Sequence, residues 1–272
     1  MQKYSVLMSL YKKEKPEYLR LAIDSMIHQT VKPDEIIIVE DGPLTEELYI
    51  IVNEYVKQYP ELMKIVVNEK NLGLGLALNQ GLYQCKNELV ARMDTDDVSK
   101  PERCEKQLKR FSEKPELSIV GTYIDEFQDD ISNVVSVRKV PCSSGEIYNY
   151  AKRRSAFNHP AVMYKKSKVL EHGGYADLRR NQDVDLFGRM MFAGCKAENI
   201  DEALLWFRTN DDLAKRRKSW ENSKSYIDTI KHFWKMGYAS FKDYVIIAVT
   251  QTIMYLCPIK VQHWLYKKFL RK

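Results

Sequence analysis

Three scarcities narrow the class of this 272-residue chain. It has no CxxC pair: its five cysteines (Cys85, Cys104, Cys142, Cys195, Cys257) are odd in number and scattered. That excludes a disulfide framework or a zinc knuckle and fits a reducing cytosol. It also lacks an apolar run of the ~20 residues that a membrane-spanning helix needs. The best candidate, Tyr244–Cys257, covers 14 residues and contains Thr250, Gln251 and Thr252. Met1–Leu10 has no leader-type apolar region, so no signal peptide is expected. Finally, acidic residues are rare at the C-terminal end. Residues 213–272 hold 13 Lys+Arg against 3 Asp+Glu, net +10, whereas residues 1–212 are net −4. A basic tail on an acidic body suits contact with an anionic surface, although a solvated helical face explains the charge equally well. No repeat or low-complexity linker interrupts the chain.

What is present alternates. Ser5–Leu10 reads as a buried strand, and Pro16 can open a helix. Leu19, Ala22, Ile23, Met26 and Ile27 then mark one helical face. Ile36–Val39 is a second strand, and Leu48, Ile51, Val52, Tyr55 and Val56 a second helical face. Met63–Val67, Gly73–Cys85 and Leu89–Met93 continue as strand, helix and strand. This order predicts a Rossmann-like α/β fold, a mostly parallel sheet with helices on both faces. From Ile119 onward, Ile119–Thr122, Val134–Val137 and Ala161–Tyr164 read as mixed strands, and Asp183–Phe192 and Ser219–Met236 as helices. The expected division is a catalytic domain over 1–212 (halves 1–100 and 101–212) and a basic helical C-terminal segment over 213–272.

Open α/β sheets bind ligands beyond the C-terminal ends of their strands. Here those ends are Ser9–Leu10–Tyr11, Glu40–Asp41–Gly42 and Asp94–Thr95–Asp96–Asp97. Polar turns end many strands. Three carboxylates in four residues, however, repel one another unless a cation neutralises them. Their hard oxygens suit magnesium or manganese, ions that commonly also bind substrate phosphates. Pro101 is expected to open the following helix, with Asp96, Asp97 and Ser99 in its approach. At the C-terminus, Trp264, Tyr266 and Phe269 interleave with Lys260, Lys267, Lys268, Arg271 and Lys272, as in an interfacial segment. An ordinary helix packed on the body is the alternative.

The ordered set Ser9-x-Tyr11, Val39–Glu40–Asp41–Gly42–Pro43, Asn71-x-Gly73, Asn79-x-Gly81 and Asp94–Thr95–Asp96–Asp97 followed by Pro101 resembles the family 2 glycosyltransferases. The likeness is strongest to the bacterial capsule and exopolysaccharide type and covers about residues 4–210. It implies a GT-A fold, a nucleotide-diphosphate sugar donor (a UDP-sugar is expected), a divalent manganese or magnesium ion, and inverting hexosyl or N-acetylhexosaminyl transfer. By the same resemblance Asp41, with Glu40 beside it, would accept a hydrogen bond from the nucleobase, and Ser9 and Tyr11 would flank that base. Asn71 and Gly73 would line the nucleotide pocket, and Asp94 would lie near the ribose. Asp96, with Asp94 and Asp97, would hold the metal. Leu78 stands where the family often has a basic residue.

Asn181–Gln182–Asp183–Val184–Asp185–Leu186 resembles the family stretch Glu-Asp-x-Asp-Leu. Asp183 takes the place of the base that deprotonates the acceptor hydroxyl, Gln182 replaces the usual Glu, and Asp185 has a helix-start role. Asn158–His159–Pro160 resembles the pre-acceptor segment, which makes His159, Asp185 and Arg208 acceptor-side candidates. Asn210 stands where relatives often carry a His, and Arg208 or the Arg216–Arg217 pair is then expected to touch phosphate. The resemblance also implies a glycan or polyprenyl-diphosphate-linked acceptor, no nucleic acid, and a cytoplasmic location, peripheral on the anionic inner face of the membrane. Two alternatives remain at this point, a nucleotidyltransferase and a catalytically silent scaffold subunit. Ser9–Pro16 contains no glycine, against the Gly-rich loop the first would need. The absence of a Gln-x-x-Arg-Trp motif disfavours a processive synthase.

Overall fold

The computed structural model describes residues 2–209 and 219–257. A nine-stranded sheet runs through the described residues in the order β3-β2-β1-β4-β8-β6-β9-β5, with β7 hydrogen-bonded to β6. Its first half is the expected alternation: β1 (Tyr4–Leu10), α1 (Pro16–Ile27), β2 (Glu35–Asp41), α2 (Glu46–Gln58), β3 (Met63–Asn68), α3 (Leu74–Gln84) and β4 (Leu89–Met93). These four strands pair in parallel.

Strand alternation explains the layers. Val6, Met8, Ile36 and Ile38 bury toward α1 and α2, whereas Leu7, Ile37 and Val39 bury toward α3. Both faces of the strands are apolar because both are covered. Every residue of the expected first helical face is buried in α1.

The parallel ladder stops at β4. After β5 (Val98–Ser99), α4 (Arg103–Glu113), β6 (Leu117–Phe127), β7 (Val134–Arg138), α5 (Ser144–Ala151) and a 3₁₀ turn (His159–Ala161), the chain forms β8 (Met163–Lys165). β8 lies antiparallel to both β4 and β6. Then α6 (Lys166–Glu171), α7 (Gln182–Phe192) and β9 (Lys196–Arg208) follow. β9 runs parallel to β6, and β5 pairs antiparallel with its end at Val98↔Trp206. The sheet as a whole is therefore mixed, and the mostly parallel expectation describes its first four strands. Ala161 closes the 3₁₀ turn instead of opening β8. Pro101 lies two residues before α4, in the turn that precedes it.

Two further helices, α8 (Trp220–Lys235) and α9 (Phe241–Leu256), complete the described chain. Phe233 of α8 packs on Gly188 of α7, where a Cβ would lie 2.0 Å from the ring. Ile230, Phe233 and Ile247 join the buried cluster that also holds α3, α5 and α7. The C-terminal helices are thus docked on the body. α9 still exposes Phe241, Val245, Val249, Ile253 and Leu256, positions that recur at helical spacing along one side. Asn210, Arg216, Arg217, the 212/213 boundary and the Lys260–Lys272 segment lie outside the described residues. No helix among the described residues is long and apolar enough to cross a membrane.

Candidate active site

The acidic loop leaves the C-terminal end of β4. Asp94, Asp96 and Asp97 each offer an oxygen, all within 4.8 Å of one another. Burial, then Asp94 and Glu14, push the Asp96 carboxyl up to about 7. Asp97 is fully buried and raised well above the carboxylate range by that burial and by Asp96 and Asp94. Its Oδ1 accepts the Arg208 N–H at 2.9 Å, and its Oδ2 has no hydrogen-bond partner. Crowded, desolvated hard oxygens with an orphaned acceptor are a donor set that fits a divalent cation of the magnesium or manganese class.

Two residues that sequence reasoning overlooked support this loop. Arg92, in mid-strand, is fully buried and places Nη1 2.5 Å from Asp94 Oδ1. Its Nε and Nη2 have no hydrogen-bond partner. Arginine almost never lies fully buried without a task, so a charged residue inside the apolar run Leu89–Met93 was itself a signal. Glu14 accepts from Thr95 Oγ1 at 2.7 Å and from the Lys15 N–H at 2.9 Å, and its carboxyl is raised by burial. It stood in a stretch read only for its missing glycines. Gln182, which the sequence marks as a departure, is buried against Gly75.

Arg208, expected on the acceptor side, lies against the acidic loop instead. Its Nε donates to Asp96 O at 2.9 Å and its Nη1 to Asp129 O at 3.2 Å. The guanidinium stacks between Tyr18 and Phe127, 3.8 and 4.5 Å from their ring centres. The long β9 carries it there.

At the end of β2, Asp41 organises the neighbouring loop. Its carboxylate accepts from Asn68 Nδ2 (3.2 Å), Asn71 Nδ2 (2.8 Å), Leu72 N (2.7 Å) and Gly73 N (3.0 Å). These four donors match the roughly four lone-pair sites of a carboxylate, so a nucleobase N–H reaching Asp41 would have to displace one. Gly42 (φ +84°) permits the close approach, since a Cβ there would lie 2.7 Å from Asn71 N. Glu40, on the other face of the strand, is raised by desolvation alone. Ser9 and Tyr11 are half-buried at the end of β1. Leu78 is fully buried. A cation reaches the nearby loop from elsewhere: Arg179 Nη1 lies 3.4 Å from Asn71 Oδ1.

Asp183 stands in the first turn of α7, whose N-cap Asn181 adopts the left-handed conformation (φ 59°). Asn tolerates that conformation better than most residues. Burial raises the Asp183 carboxyl, while the Val184 N–H, its own N–H and the Arg138 and Arg92 charges oppose the shift. Asp94 and Asp183 line one cavity of about 1200 Å³, together with His159 and Arg138. His159 hydrogen-bonds Tyr175 Oη through Nε2 at 2.8 Å, and burial, then Arg92, lower its pKa so that it is neutral. Asp185 faces away, holding Arg189 at 2.8 Å, and Arg189 in turn donates to Gly174 O at 2.7 Å.

The comparisons agree with this geometry. The family model described as "Glycosyl transferase family 2" matches residues 5–173. The Escherichia coli "UDP-Gal:alpha-D-GlcNAc-diphosphoundecaprenol beta-1,3-galactosyltransferase" is 36% identical over 270 residues, 99% of this chain and 97% of that protein. The "Amylovoran biosynthesis glycosyltransferase AmsE" of Erwinia amylovora is 36% identical over 265 residues, 97% of this chain and 98% of its own. Among solved structures, the Pyrobaculum calidifontis mannosyltransferase PcManGT in complex with GDP-Man and Mn2+ superposes with a TM-score of 0.67 at 14% identity, covering 94% of this chain and 70% of that one. Staphylococcus aureus TarS 1–349 in complex with UDP-GlcNAc gives 0.62 at 15% identity, covering 96% and 84%. These likenesses set the nucleotidyltransferase alternative aside. A GT-A sheet, an acidic loop at the end of β4 and a carboxylate across the same cavity make this chain a glycosyltransferase, and it belongs to glycosyl transferase family 2.

Proposed function

We propose that the protein transfers a hexosyl or N-acetylhexosaminyl group, with inversion, from a UDP-sugar to a hydroxyl of a polyprenyl-diphosphate-linked glycan in polysaccharide assembly. The observation that carries this reading is the shared cavity: Asp183 lines it at the start of α7, and Asp94 of the acidic loop lines it at the end of β4. The named activity of the E. coli relative supports both the donor and the lipid-linked acceptor.

On this reading Asp183 takes the proton of the attacking hydroxyl. Its position in the first turn of a helix favours the carboxylate, and its burial makes it a stronger base than a solvated one. Asp94, Asp96 and Asp97 would hold manganese or magnesium, which when bound offsets charge on the diphosphate leaving group. Arg92 orients Asp94, and Arg208 fixes the backbone of Asp96. Ser9 and Tyr11 flank the base, Glu40 accepts from its imide N–H, and Asn71 and Gly73 shape the pocket wall that Asp41 organises. His159, neutral and tied to Tyr175, offers an uncharged polar wall to the acceptor. The apolar stripe of α9 and the basic charge of 213–272 support a peripheral position on an anionic membrane face.

The test is Asp183→Asn, assayed with UDP-sugars and a lipid-diphosphate-linked acceptor. Transfer should fall by about 10²–10⁴-fold, while metal-dependent UDP-sugar binding persists. A near-normal rate would remove Asp183 from the role of base.

A further inference from the structure

The cavity that Asp183 lines also has lining residues that proton transfer does not need. Arg138 and Lys139 at the end of β7, and Arg154 after α5, line it. Among the described residues none of the three is paired with a carboxylate, although Arg154 lies 5.7 Å from the Tyr150 ring centre. Their neighbour Arg153 is committed elsewhere, to Asp243 of α9. α9 lines the same cavity through Ile246, Ile247 and Tyr255. One cavity therefore joins the carboxylates Asp94, Glu126 and Asp183, three cations that form no salt bridge among the described residues, and an apolar helix.

Cations gathered in one cavity without salt bridges repel one another, and a bound anion offsets that cost. An ordinary sugar hydroxyl acceptor supplies no such charge, and a free anion has no use for the α9 wall. We propose that Arg138, Lys139 and Arg154 form a subsite for the diphosphate of the acceptor, and that Ile246, Ile247 and Tyr255 take the first units of its hydrocarbon chain. The assignment rests on the lipid-linked acceptor reading above and adds the residues that recognise it. The Arg153–Asp243 pair fixes α9 beside the cationic wall, and so sets the spacing between the charged and apolar portions of the ligand. The outer side of the same helix exposes Val245, Val249 and Ile253, which gives the chain an apolar path onward into a bilayer.

The experiment measures binding to the full chain by calorimetry, in chelator so that no metal-bridged diphosphate forms at the acidic loop. The probes are farnesyl diphosphate, farnesol and inorganic pyrophosphate. Farnesyl diphosphate should bind at least about tenfold more tightly than either of the others, because only it engages both walls. Arg138→Ala with Arg154→Ala should weaken it by about tenfold or more, the loss expected from charge-assisted contacts. Ile246→Asn should weaken farnesyl diphosphate and leave pyrophosphate unchanged. UDP binding with manganese, measured on the same proteins, reports folding and donor recognition separately. Unaltered farnesyl diphosphate affinity in the double variant overturns the subsite, as does equal binding of farnesol by the unmodified protein. Should the variants fail to fold, the comparison of probes on the unmodified chain still decides. Loss of UDP binding by the unmodified protein would instead undermine the donor reading, leaving the diphosphate result to stand by itself.

Discussion

On the proposed reading, the donor side and the acceptor side of the site are built on opposite plans. At the donor end the polar groups are tied to one another: Asp41 is saturated by four donors, Glu14 holds Thr95, and Arg208 is bound on three sides. At the acceptor end Arg138, Lys139 and Arg154 are not ion-paired among the described residues. A prearranged donor site loses little entropy when it captures a ligand. Cations left without counter-charges keep their electrostatic potential for the ligand. The sheet makes the same division, since its parallel strands carry the donor end and its mixed strands the acceptor end.

Substitutions on each side should break this contrast in different ways. Asp96→Asn should have the largest effect, abolishing transfer and weakening donor binding, as read by UDP-sugar calorimetry with manganese. Full activity of that variant in chelator would rule out a metal-dependent reaction. Next comes the pH profile of turnover. The Asp183 carboxyl is raised, so it is protonated and inactive at low pH and becomes the active carboxylate as pH climbs. The rate should rise through an inflection above the ordinary Asp value of about 3.9, and that limb should vanish in Asp183→Asn. An unchanged limb would assign the titration to another group.

The structural tests follow. Arg92→Ala removes the buried partner of Asp94. It should cost about 3 kcal/mol, the lower end for breaking a buried pair, because Asp94 is partly exposed. Chemical denaturation measures it, and a loss below 1 kcal/mol would show that Arg92 is dispensable to the loop. Gly188→Ala presses a methyl into Phe233 and should destabilise by about 1–3 kcal/mol, with donor affinity retained. Donor binding that falls along with stability would mean the two ends are not separable. Asp185→Asn should be the mildest, a several-fold loss at most, since Asp185 braces Arg189 and faces away from the acceptor. A larger effect there than at Asp183 would move the base two residues along the chain.

The donor half was legible because its signals are local. A buried parallel strand is a short β-branched run and a covering helix a 3.6-residue repeat, so the bounds of β4 and the buried face of α1 followed directly. The acceptor half was less so. β9 (Lys196–Arg208) contains Glu198, Asp201 and Glu202 and pairs with β6 through several register shifts, which erases any regular alternation. α5 and α6 are short and polar, and their helicity comes from a capping box at Ser143 and from packing. At the site, the acidic loop and Asp183 announced themselves through residue type and spacing. Arg208 did not, because its place depends on where a thirteen-residue strand ends. The four hydrogen bonds that tie Asp41 to the loop at Asn71 are likewise invisible in sequence, since they depend on which face of β2 that loop folds against.

The bond between Arg208 N–H and Asp97 has a consequence for the order of assembly. Its partners are 111 positions apart, so the acidic loop and its anchor cannot meet until most of the chain has emerged from the ribosome. Contacts of such separation close late and at an entropic cost. The strands and helices of residues 1–100 can form a parallel layer well before that, with the Asp41 loop already tied. Asp94 already has Arg92 beside it, whereas Asp96 and Asp97 gain their Arg208 anchor only when β9 arrives. A nascent or truncated chain ending before β9 should therefore present a nucleotide pocket beside an unset acidic loop, and catalytic competence is withheld until the far half of the protein has folded onto the near one.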